Sequence, residues 1–190
     1  MNDVLNKILN VSIDELNKID LSAYDKYVDV MYGFKTWFKD VPGREHYKLL
    51  AYISSLYNNT TLLDIGTYSG CSAIALAHNK SNKVISYDVI KDKHVDLIKE
   101  PNIEFRINNL LVHKCEEIKD VPFIMLDTAH DGKFEQLLLQ YLADINWHGL
   151  MFMDDICEYS ALVEMWKNFS YEKYDLTPKG HWSGSGIIIL

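Results

Sequence analysis

The sequence predicts an α/β protein: a doubly wound, mostly parallel sheet of seven strands, an antiparallel hairpin at the C-terminal edge of the sheet, and a helical N-terminal extension. Three observations predict it. After residue 60, short apolar runs alternate with segments of helical character, the pattern of a parallel sheet covered by helices on both faces. Phe123-Ile124-Met125-Leu126 and Leu150-Met151-Phe152-Met153 are continuously apolar, as strands buried on both faces are. Leu62-Leu63-Asp64-Ile65 runs into Gly66, and Gly70 follows four residues later, which reads as a strand entering a tight turn before a helix.

The elements follow in order. Residues 1–60 are helical in character. Ser12-Ile13-Asp14-Glu15 fits a capping box, with Ser12 as N-cap and Glu15 three residues on. Tyr24, Tyr27, Tyr32, Phe34, Trp37 and Phe38 crowd the stretch that follows, and Val41-Pro42-Gly43 breaks the chain. Glu45 to Tyr57 is an amphipathic helix. Strands are expected at 61–65, 83–88, 103–107, 121–127, 149–154, about 171–177 and 185–190. Helices are expected at 70–79, 91–99, 132–144 and 159–169. The last two strands have no strong helix between them, which suits an antiparallel hairpin, and Gly184 and Gly186 ease the turn.

Composition narrows the function. A length of 190 residues suits one domain, with residues 1–60 as a helical cap and 61–190 as the core. The net charge of -8 argues against general nucleic-acid binding, which needs a basic surface to meet phosphates. The first residues lack a signal-peptide layout, and no apolar run is long enough to span a bilayer. Cys71, Cys115 and Cys157 form no zinc or redox pattern, so a reduced, cytoplasmic setting is expected.

The ligand is suggested by glycine spacing. Neither a G-x-G-x-x-G dinucleotide fingerprint nor a phosphate loop is present. The pattern is Asp64-x-Gly66-x-x-x-Gly70. Glycines there let the backbone turn sharply and approach a ligand closely. Lys83-Val84-Ile85-Ser86-Tyr87-Asp88 reads as the next strand and ends in an acid 18 residues past Gly70. A carboxylate at about that distance meets ribose hydroxyls in doubly wound sheets.

This arrangement resembles the first motif and second-strand acid of the class I, Rossmann-like methyltransferases that use S-adenosylmethionine. The resemblance implies a donor site made by Asp64, Gly66, Thr67, Tyr68, Ser69, Gly70, Asp88, Val89, Asn108, Asn109 and Asp127. Asp88 would contact the ribose, and Asn108-Asn109, after the third strand, would face the adenine.

Three acids end two adjacent strands: Asp127 after the fourth, Asp154 and Asp155 after the fifth. Such like charges repel unless a cation or protons neutralise them, and an all-oxygen set suits Mg²⁺. The segment resembles the catechol-type O-methyltransferases and those that modify sugars of macrolide and aminocoumarin antibiotics. That resemblance covers residues 41–190 and implies a divalent metal at Asp127, Asp154 and Asp155. His130 and Asp131, beside Asp127, are the candidate general bases, since an imidazole accepts a proton near neutrality. His46, His78, His94 and His113 read as surface residues, and His181 as part of a hairpin turn.

The expected function is O-methylation of a small-molecule hydroxyl, sugar or phenolic, with Mg²⁺ assistance. The alternatives are a metal-independent methyltransferase, a donor-binding module without catalysis, and a nucleotide-sugar or dinucleotide enzyme. The acceptor and the oligomeric state are not specified by the sequence. Tyr24, Tyr27, Phe34 and Trp37 serve either as acceptor cover or as core.

Overall fold

The computed structural model describes residues 1–32, 37–113 and 115–190, so Phe34 lies outside the described residues. Seven strands form one sheet: β1 Thr61–Ile65, β2 Lys83–Asp88, β3 Ile103–Ile107, β4 Phe123–Leu126, β5 Leu150–Asp154, β6 Lys173–Asp175 and β7 Ser185–Ile189. Their order is β3-β2-β1-β4-β5-β7-β6. The first five run parallel, and β7 lies antiparallel between β5 and β6. The expected hairpin is present, with its second strand on the inside.

The two-residue period of a strand sorts side chains between the faces. Leu62, Val84, Phe123, Met125, Leu150, Phe152 and Ile187 meet a helical layer built by α1 Asn2–Asn10, α2 Ile13–Asn17, α3 Asp25–Tyr32, α4 Tyr47–Ser55 and α5 Cys71–Leu76. Leu63, Ile65, Ile85, Ile124, Leu126, Met151, Met153 and Ile188 meet α6 Lys133–Asp144 and α7 Ser160–Asn168. Burying each large apolar side chain stabilises the fold by roughly 1.5–3 kcal/mol. Residue 154 shares the parity of Leu150 and Phe152, so Asp154 faces the α4 layer.

The N-terminal cap is anchored by local chemistry. Ser12 Oγ accepts from the Glu15 amide at 3.2 Å, and Glu15 Oε2 accepts from the Ser12 amide at 2.9 Å, so the capping box forms. Lys179 Nζ donates to the carbonyls of Leu9 and Val11 at 2.8 and 3.1 Å, tying the end of α1 to the C-terminal region. Tyr24 and Tyr27 are buried in this layer, and the Tyr27 hydroxyl donates to Glu100 at 2.9 Å. They belong to the core and do not cover an acceptor. Among the described residues, no helix is long and apolar enough to cross a membrane.

The helix expected at 91–99 is instead a short 3-10 turn, Lys93–Leu97, capped by Asp92 Oδ1 accepting from the His94 amide at 2.7 Å. Its apolar anchors, Val95 and Ile98, are three residues apart, which matches three residues per turn.

Candidate functional site

The turn after β1 is shaped by what Gly66 lacks. Its φ is +101°, and a Cβ there would fall 1.5 Å from the Asp127 carbonyl oxygen. The β1 and β4 loops therefore touch backbone to backbone, as the Asp127 amide donating to the Ile65 carbonyl at 2.9 Å also shows. Gly70, at φ +88°, begins α5 against Ile98. Tyr68 also takes a positive φ of 43°, and its amide donates to Asp88 Oδ2 at 2.8 Å. The Ile90 amide donates to Asp88 Oδ1 at 3.0 Å. Two backbone donors thus fix the carboxylate, while each oxygen keeps a lone pair for a further donor.

A cavity of about 630 Å³ opens beyond the C-terminal ends of β1, β2 and β4. It brings together Gly66, Tyr68, Asp88, Val89, Asn108, Asn109, Asp127 and His130. Its position is where ligands bind in open α/β sheets. Asn108 Oδ1 is buried there without a hydrogen-bond partner, an acceptor that suits an amino group on a bound molecule.

Four expected donor residues do not line the cavity. Asp64, Thr67 and Ser69 are buried behind the turn, and Gly70 starts the helix. Asp64 Oδ2 accepts from Ser86 Oγ at 2.6 Å, and Ser86 Oγ lies 2.5 Å from Thr67 Oγ1. Burial pushes the Asp64 carboxyl up to about 7, although hydrogen bonds from Ser86 and Ser72 oppose the rise. Parity explains the placement: 62 and 64 share a face, so Asp64 points with Leu62 into the helical layer.

The three acids expected to hold Mg²⁺ are not gathered into one site. Asp127 Oδ1 and Asp155 Oδ2 lie 2.8 and 2.9 Å from the same atom, His130 Nε2. Asp154 is turned away, with Oδ2 at 3.3 Å from both His46 Nδ1 and His181 Nδ1. Asp154 ends β5 facing α4, and Asp155, at φ +59°, leaves the strand in the opposite direction. Two clusters result, Asp127–His130–Asp155 and His46–Asp154–His181, each with its ligating atoms within 4.8 Å of one another.

These contacts set the charges. Burial disfavours a charged His130, but hydrogen bonds to Asp127 and Asp155 outweigh it and raise its pKa to about 10. His130 therefore stands against both carboxylates, and its surroundings favour the charged ring. Desolvation raises the Asp127 carboxyl, against the pull of His130. Burial likewise disfavours charge on His46, yet the adjacent Asp154 carboxylate lifts its pKa to about 9. Asp131 does not enter the cavity: it is exposed, and Oδ1 accepts from the Lys133 amide at 2.9 Å to start α6.

Three participants were not legible from local sequence. Glu135 is buried in the first turn of α6, accepting from Thr128 Oγ1 at 2.7 Å and the His130 amide at 3.2 Å, which holds His130 in its left-handed conformation. Tyr159 stacks on the His130 ring at 4.5 Å with planes 6° apart. His46, expected at the surface, is 4% exposed. The signal for Glu135 was an acid in a helix first turn, where it is common; nothing nearby marked it as buried.

The architecture is shared with solved methyltransferases. The Podospora anserina methyltransferase PaMTH1, solved with S-adenosylhomocysteine, superposes with a TM-score of 0.61 at 11% identity, over 90% of this chain and 88% of that one. An O-methyltransferase from Bacillus cereus, also in complex with S-adenosylhomocysteine, gives 0.61 at 15% identity and 94% of each chain. The curated ribosomal protein L11 methyltransferase of Lactobacillus gasseri is 28% identical over 151 residues, covering 72% of this chain. The chain spans 44% of that relative's length. No family model matches the sequence. At these identities the likeness is one of fold: the chain has the architecture of these S-adenosylhomocysteine-bound methyltransferases.

Proposed function

We propose that this chain transfers the methyl group of S-adenosylmethionine to a hydroxyl oxygen of a small sugar or phenolic molecule. The observation that carries this reading is the cavity itself. Gly66 lines it, its missing Cβ letting the β4 loop close beside the turn, and Asp88 offers oriented carboxylate oxygens to a ribose diol. Asn108 Oδ1 offers an unused acceptor to an adenine amino group. His130 and Asp127 line the same cavity, where they would meet an acceptor.

S-adenosylmethionine supplies an activated methyl on a sulfonium, which departs as a neutral thioether when the acceptor oxygen attacks in line. The chain's own residues orient the two molecules and take the acceptor's proton. Asp127 and Asp155 hold the Nε2–H of His130, which leaves Nδ1 as the basic atom once the ring is neutral. Glu135 holds the His130 backbone amide and Tyr159 stacks on its ring. Orientation supplies most of the rate in such a transfer. Mg²⁺ assistance through Asp127, Asp154 and Asp155 is left out of this reading, because Asp154 faces other partners and His130 occupies the space between the remaining two.

Calorimetry with S-adenosylhomocysteine tests the donor site, and transfer from radiolabelled donor to a panel of sugars and phenols tests the reaction. Binding together with transfer is the expected result. Binding with no transfer to any hydroxyl would favour a donor-binding module, and no binding at millimolar ligand would end the proposal.

A further inference from the structure

We propose that His46 Nδ1, Asp154 Oδ2 and His181 Nδ1 form a binding site for a borderline divalent cation of the Zn²⁺ type. None of the three residues lines the donor cavity, although His181 Nδ1 also lies 3.8 Å from Asp155 Oδ1, and the proposal does not depend on the methyl-transfer reading.

Geometry is the first support. Asp154 Oδ2 lies 3.3 Å from each histidine nitrogen, and all three atoms lie within 4.8 Å of one another. Bonds of about 2.0–2.1 Å directed to tetrahedral corners separate ligand atoms by about 3.3–3.4 Å. Two of the three edges already have that length. A modest approach of the His181 loop towards His46 closes the third.

The second support is an unused atom. His46 Nδ1 is buried and faces Asp154 Oδ2 at 3.3 Å without the geometry of a hydrogen bond. A buried polar atom so poorly satisfied is costly, and a metal bond removes that cost.

The surroundings complete the set. Ser185 Oγ donates to Asp154 Oδ1 at 3.2 Å, leaving Oδ2 for the ion. Glu45 Oε2 lies 3.8 Å from His181 Nε2, on the far side of that ring from the proposed ion. A carboxylate behind a ligating imidazole orients it and raises its basicity. The Ser183 hydroxyl, 2.6 Å from His181 Nδ1, is the group that an ion would displace or recruit. Two imidazoles and one carboxylate select a borderline transition ion over Mg²⁺, which prefers oxygen.

The elements that supply the ligands are distant in sequence: the start of α4, the end of β5 and the loop before β7. Two are held rigidly by the core and the third sits on a loop at the surface, which gives the ion a route in.

The test uses the full chain, stripped with a chelator and dialysed. It is titrated with Co²⁺, read by visible absorption, and with Zn²⁺ in competition with a coloured chelator. The expected result is one equivalent bound, with Mg²⁺ in large excess failing to compete. His181→Ala and His46→Gln, each checked for folding by circular dichroism, should each weaken binding at least about a hundredfold. The exposed His148→Ala should have no effect. Absence of stoichiometric binding, or binding unchanged in His181→Ala, overturns the proposal. Binding lost in His130→Ala but kept in His46→Gln places the ion in the neighbouring cluster and also overturns it. S-adenosylhomocysteine calorimetry on the same stripped protein reads the donor cavity alone, so either idea can fail without the other.

Discussion

His130 Nε2 lies 2.8 Å from Asp127 Oδ1, in the loop that leaves β4. Asp155 Oδ2 lies 2.9 Å from the same nitrogen, so both carboxylates draw the ring towards its charged form. A proton acceptor of that kind works only when neutral, and its environment favours the charged form up to a pH of about 10.

The rate should therefore increase with pH. The neutral fraction of His130 grows about tenfold per pH unit below its pKa, so kcat should climb from pH 7 towards 10. His130→Ala should lower kcat by about 10²–10⁴-fold and remove that slope. Asp131→Asn, remote from the cavity, should leave both intact. A flat profile between pH 7 and 9 in the unmodified protein would exclude His130 as the base.

Asp88→Ala should weaken S-adenosylhomocysteine binding by about 10–100-fold, the worth of hydrogen bonds from a diol to a charged acceptor. Thermal stability should change little, since Asp88 sits at the mouth of the cavity and supports only the Tyr68 and Ile90 amides. Calorimetry and a melting curve on one preparation separate the two effects. Unchanged affinity would remove Asp88 from the donor site.

Gly66→Ala should be among the most damaging single changes in the chain. The new Cβ would overlap the Asp127 carbonyl, at a backbone angle that side chains avoid. The β1 and β4 loops would have to part, so a loss of several degrees in Tm and of donor binding is expected together. A variant that melts and binds like the parent would show that the two loops do not depend on this contact.

Asp64 should impose a pH dependence on stability. Its folded pKa, about 7, lies above the ordinary value of 3.8. The folded state therefore holds the proton more tightly, and the corresponding stability is present at low pH and lost as pH rises from about 4 through 7. Asp64→Asn cannot ionise. The Tm difference, variant minus parent, should become more positive across that window and then level off. A constant difference from pH 4 to 8 would mean that Asp64 is not protonated preferentially in the folded state.

The sequence was most readable where the pattern is local. The glycines at 66 and 70, the acid at 88 and the apolar runs of β4 and β5 each announce an element within a few residues. The cavity residues that follow strand ends, Asp88, Asn108 and Asp127, were reached by the same logic. What failed was orientation and distance. Asp154-Asp155 was read as one pair, yet neighbouring residues at a strand end point to opposite sides, and parity with Leu150 and Phe152 already assigned Asp154 to the α4 face. His46 stands 108 positions before Asp154, and no local rule joins them. The segment 91–99 has the charges of a surface helix, but only Val95 and Ile98 are buried from it, too few to support a longer one.

The placement of β7 has a consequence for how the chain is made. β7 follows the other six strands in sequence yet is an interior one, inserted between β5 and β6. Until residues 185–189 emerge from the ribosome, β5 has an open edge of unsatisfied backbone groups on that side. Asp154 also waits for its partners, since His181 and Ser185 arrive in the same final stretch. Nascent chains stalled just short of residue 185 should therefore expose an aggregation-prone edge, and emergence of residues 185–189 should both seal the sheet and complete the histidine–aspartate cluster.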